Sequence, residues 1–112
     1  MVLYLFTQNN AMKTELQQNL TKVNNMISYS PELYSEYKSI VATSIALIKN
    51  IDPEGKGAVL NAWIPMAIEE LEKELAKLAD TFPNLAPDRQ RTEFMYSKSS
   101  VSLSLTNIVM NL

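Results

Sequence analysis

Apolar residues recur along this chain at helical intervals in four segments, and each gap between segments carries residues that stop or start helices. Over about residues 11–28, Leu16, Leu20, Val23 and Ile27 follow one another at steps of four, three and four. That spacing gathers them on one stripe of a helix, with Asn and Gln filling the opposite face. "YSPEL" then predicts a fresh helix start, with Ser30 as cap, Pro31 at the first helical position and Glu32 near the positive end of the dipole. The second helix runs to about Asn50 on a stripe of Leu33, Tyr37, Ile40, Ser44, Leu47 and Ile51. Beside it, Tyr34, Val41, Ile45 and Ile48 form a second stripe. This helix is apolar around more than half of its circumference, which exceeds the single stripe that a bundle helix needs.

The third segment alternates steps of four and three through Ile64, Ile68, Leu71, Leu75, Leu78 and Phe82, the repeat of a bundle seam. Glu69, Glu70, Glu72 and Glu74 are assigned to its solvated outer face. There Glu69 and Glu70 both reach Lys73, each pair contributing only a few tenths of a kcal/mol. Pro65 disfavours helical geometry at Ile64, so the third helix is expected either to begin or to kink there. "TFPNLAPD" ends it with two prolines. The last segment, about 88–112, places Phe94, Val101, Leu105, Ile108 and Leu112 on a helical stripe, whereas "SVSLSLT" within it alternates like a strand. Helix is preferred. The alternative pairs this segment as a strand with "VLYLF" in a small α+β domain. The expected architecture is all-α: a single domain over 1–112, a four-helix up-and-down bundle with a short apolar N-terminal segment.

Composition narrows the chemistry. The chain has 112 residues, enough for one core, and contains neither cysteine nor histidine. Thiolate nucleophiles, thiolate metal sites and disulfides are therefore excluded, and the commonest general base and transition-metal ligand are missing. A net charge of −2 argues against a protein that lives on nucleic acid. Its one basic cluster, Arg89, Arg91 and Lys98, is read as part of a solvated helix start. "MVLYLF" is too short for a signal peptide or a membrane span, so a soluble chain is expected, with its compartment left open.

The stretch "IDPEGKGAVLNAW" holds both glycines of the chain and its single tryptophan. It lacks the spacing and the hydroxyl of a phosphate-binding loop. As a calcium loop starting at Asp52 it would place Lys56 where a carboxylate is needed and Trp63 in place of the closing glutamate. The stretch is read as a connector, and no metal and no cofactor are expected. Trp63 is expected to wedge the connector onto the bundle, with an anchor for a partner as the alternative. Without histidine or cysteine, the dense hydroxyls Ser97, Ser99, Ser100, Ser102, Ser104 and Thr106 leave only a Ser–Lys arrangement with Lys98 as a nucleophile, and small hydroxyls more often let helices approach closely.

"TELQQNLTK" followed by "SPELYSEYKS" resembles the helix, proline turn and second helix of type III secretion needle subunits, which pack as helical hairpins into filaments. Residues 52–112 have no counterpart in that pattern, and no residue role is carried over. The function expected from the residues is non-catalytic: a small helical protein working through protein–protein contacts as an adaptor, inhibitor, immunity-type or chaperone-type protein. Its expected contact surface is Tyr34, Val41, Ile45 and Ile48 on the second helix, with Trp63, used for a protein partner or for self-association. A self-assembling structural subunit and a bundle holding a small ligand are the alternatives; a polar, titratable cavity would favour the latter.

Overall fold

A computed structural model describes residues 2–27, 29–52 and 57–112, and within these the side chains of all but residues 2–9 and 31. The described residues form four α-helices: α1 (Val2–Asn24), α2 (Pro31–Lys49), α3 (Ala58–Asp80) and α4 (Pro87–Asn111). A 3-10 turn, Phe82–Asn84, leads into α4. Each helix packs against the next in the chain, and α4 closes the ring on α1. With short connectors between them, successive helices run antiparallel, which is the up-and-down bundle that the periodicity predicts. α2 also touches α4 across the bundle, whereas α1 and α3 do not meet, so α2 has all three other helices as neighbours.

Local chemistry explains most boundaries. Ser30, extended at φ −151° and ψ 157°, accepts a hydrogen bond from the Leu33 amide at 3.2 Å, and Pro31 opens α2 behind it. α3 begins at Ala58, so Pro65 lies inside the helix rather than at its start. It deprives the Asn61 carbonyl of its amide partner, but both residues are exposed and water can take that place. The backbone of Val2–Phe6 belongs to α1 and residues 97–106 to α4, so neither a separate N-terminal segment nor the strand pair exists. The alternation in "SVSLSLT" resolves helically: Val101, Leu105 and Ile108 are buried, while Leu103 is 63% exposed.

The core joins Leu16 and Val23 of α1, Tyr37, Val41 and Ile48 of α2, Leu60, Leu71 and Leu78 of α3, and Phe94, Val101 and Leu105 of α4. Ile27 departs from its predicted stripe and is 83% exposed, because α1 ends at Asn24. Met26 folds back instead, its amide donating to the Val23 carbonyl at 3.2 Å, and takes the buried place. Hydrogen bonds tie α1 to its neighbours: Asn19 Nδ2 donates to Ser44 Oγ at 3.0 Å, and Ser102 Oγ donates to Asn24 Oδ1 at 2.8 Å. At the end where α1 and α3 finish, Tyr29, Tyr34, Tyr37, Phe82 and Phe94 form an aromatic layer with ring centroids 4.7 to 5.6 Å apart.

Candidate functional site

The second stripe of α2 is not a free surface. Val41, Ile45 and Ile48 lie in the core of the single chain, because α2 is flanked by α1 and α3 and meets α4 across the bundle. The premise that a partner must cover this stripe is corrected: the chain covers it. Tyr34 is half-buried at the edge of the same helix. Its hydroxyl donates to the Leu78 carbonyl and its ring stacks on Phe82 at 4.7 Å with 7° between planes. Burial, with the nearby Tyr29 as a lesser cause, raises its pKa. This tyrosine is committed to holding α2 on the end of α3.

Exposed apolar side chains gather elsewhere, along the outer seam of α3 and α4. On α3, Val59, Trp63 and Met66 recur at steps of four and three; on α4, Tyr96, Leu103 and Met110 recur at steps of seven. Trp63 is half-buried, Met66 is 56% exposed and Met110 is 77% exposed. Trp63, Met66 and Ala67 face Leu103, Ser104 and Asn107 across a groove of about 250 Å³. Glu70 is the one ionisable group in its lining. Ser100 and Ser104, half-buried in the walls, keep those walls low where α3 and α4 approach.

A second concavity, of about 230 Å³, opens where α3, the 3-10 turn and the start of α4 meet. Glu74, assigned by the sequence to the solvated outer face, is buried here. Its position three after Leu71 and four before Leu78 puts it on the inward stripe, and the surrounding glutamates hid that signal. Lys77 Nζ stands 3.3 Å from Glu74 Oε2. Beside them, the Tyr37 hydroxyl and Ser97 Oγ share a hydrogen bond of 2.7 Å between α2 and α4. Burial raises the Tyr37 pKa strongly and the Glu74 charge adds to this, while the bond to Ser97 works in the opposite direction. Arg89 and Glu93 approach to 3.7 Å at the rim.

Lys98 is also buried, against the prediction of a solvated cation. Its ammonium donates to the Met26 carbonyl just beyond the end of α1, fixing the connector rather than activating a serine. The expected Glu69–Lys73 and Glu70–Lys73 pairs give way to Lys49–Glu72 at 2.9 Å and Lys77–Glu74. Among the described residues no group of three or more acidic side chains could hold a metal ion, and no helix is long and apolar enough to cross a membrane. Residues 53–56, the centre of the stretch read as a connector, lie outside the described residues. Comparison with protein-family models, curated proteins and solved structures returns no match.

Proposed function

We propose that this protein is a non-catalytic helical module that works through protein contacts, and that its working surface is the α3–α4 groove around Trp63. The observation that carries the reading is the groove in which Trp63 and Met66, of the outward stripe Val59–Trp63–Met66, face Leu103, of the outward stripe Tyr96–Leu103–Met110 on the adjacent helix. Soluble chains rarely leave such stripes contiguous in water without a use. Tryptophan anchors and adaptable methionines are both favoured where one protein receives another.

A groove between two antiparallel helices suits a third amphipathic helix, whose apolar residues at i, i+3 and i+7 would lie along the groove. Glu70 in the lining calls for a basic residue beside that apolar face, so the partner is an amphipathic helix with a cationic flank. The test compares retained proteins on immobilised wild type and on a folded Met66→Glu, Leu103→Glu double variant, and follows Trp63 emission as basic and acidic amphipathic peptides are added. Loss of capture in the variant, with an emission shift for basic helices alone, supports the proposal. Identical capture by both chains overturns it, as does a concentration-dependent dimer of the wild type that buries the groove.

A further inference from the structure

The concavity at the end of α3 has a use that the protein-contact reading does not supply. We propose that it binds a small organic cation, an ammonium group carried on a compact apolar body. Glu74 would receive the ammonium, and Leu78, Phe82 and Leu85 would receive the body.

Burial decides which of the lining charges counts. Glu74 and Lys77 are nominally a pair, and so are Arg89 and Glu93, which makes the lining neutral on paper. The Lys77 and Arg89 side chains, however, are 54% and 66% exposed, where water and salt screen them. The Glu74 side chain is 5% exposed, so its field acts through a much lower dielectric. The floor of the cleft is therefore negative while its cations sit in solvent. At 3.3 Å, Lys77 makes a long ion pair, and its exposed ammonium can return to water when another takes its place.

The remaining lining fits the same ligand. Ser97 lines the cleft beside the carboxylate, and its Oγ, engaged with Tyr37, keeps acceptor capacity for a second N–H. Phe82, nearly buried and stacked through one face on Tyr34, adds to the apolar lining. Leu78 and Leu85 give the apolar walls. At about 230 Å³ the space falls below the roughly 300–1,000 Å³ of pockets for drug-sized ligands, which restricts the body to about one ring.

The experiment titrates the full chain with phenethylammonium, 2-phenylethanol and phenylacetate, three probes of one shape and different charge, and follows amide resonances by NMR. The expected result is saturable binding of the ammonium at the end of α3 and the start of α4. The alcohol should bind about tenfold more weakly or worse, the loss expected when a charge-assisted hydrogen bond is removed. Glu74→Gln should weaken the ammonium by a similar factor and leave the alcohol unchanged. Equal affinity for ammonium and alcohol overturns the proposal, and so does tighter binding of phenylacetate, which would assign the site to Lys77 and Arg89. Absence of saturable binding overturns it too. Because the comparison of three probes needs only the wild-type chain, an unstable Glu74→Gln variant does not remove the test.

Discussion

The second stripe of α2 and the outer stripes of α3 and α4 are built from the same kinds of residue at the same kinds of interval, yet the bundle treats them oppositely. Val41, Ile45 and Ile48 are covered because they lie on the side of α2 that faces its chain neighbours α1 and α3 and, across the bundle, α4. Met66, Leu103 and Met110 stay exposed because each of their helices spends its inward face on the core and has no further neighbour on the outside. The width of an apolar face therefore does not reveal a binding surface by itself. What matters is which way the face points: α4 also meets the other three helices, yet its outer stripe stays open.

The largest effect that sharpens this contrast is a charge placed in the covered stripe. Val41→Glu or Ile48→Asp should lose cooperative unfolding in circular dichroism, because an unpaired buried charge costs several kcal/mol against a typical total of about 5–15 kcal/mol. The same change at Leu103 should leave stability within about 0.5 kcal/mol, as at other open surface positions. A folded Ile48→Asp monomer would break the comparison. Next in size is Leu105→Ala, expected to cost about 2–5 kcal/mol in urea unfolding, whereas Leu103→Ala, two residues away on the open face, should again cost about 0.5 kcal/mol or less.

A smaller effect tests the link between α2 and α4 in pH. The Tyr37 pKa is raised in the folded chain by burial and by the Glu74 charge, so its neutral form is favoured by folding. Its contribution is complete below the unfolded tyrosine pKa of about 10 and is lost as the pH rises toward the folded value, since the unfolded chain then releases a proton that the folded one keeps. Tyr37→Phe should cost about 1 kcal/mol at neutral pH, the scale of one hydrogen bond. It should also make the fall in stability above about pH 10 shallower. Some fall remains, because the Tyr34 pKa is raised as well.

Much of the fold was legible in the sequence. The cap at Ser30, the stripe Phe94–Val101–Leu105–Ile108 and the prolines before α4 all encode local geometry that the structure reproduces. Two charges escape the pattern. The inward position of Glu74 shows only in its spacing to Leu71 and Leu78, which the surrounding glutamates mask, and Lys98 looks solvated because its partner, the Met26 carbonyl, lies 72 residues away. The stripe of α2 is plain in the sequence, but its cover comes from three separate segments. The groove is half-visible: Trp63 stands out as an anchor, whereas the heptad stripe Tyr96, Leu103 and Met110 is masked by the core stripe of Leu105 and Ile108 beside it.

The chain contains no cysteine, so single thiols can be introduced at Ile48 and at Leu103 and their reaction with a maleimide timed under native conditions. Leu103→Cys should label at nearly the rate of a free peptide thiol. Ile48→Cys should label about a thousandfold more slowly or less, through rare opening of the bundle. Similar rates at the two positions, or a protected thiol at 103 beside a reactive one at 48, would contradict the assignment of core to α2 and open surface to the α3–α4 groove.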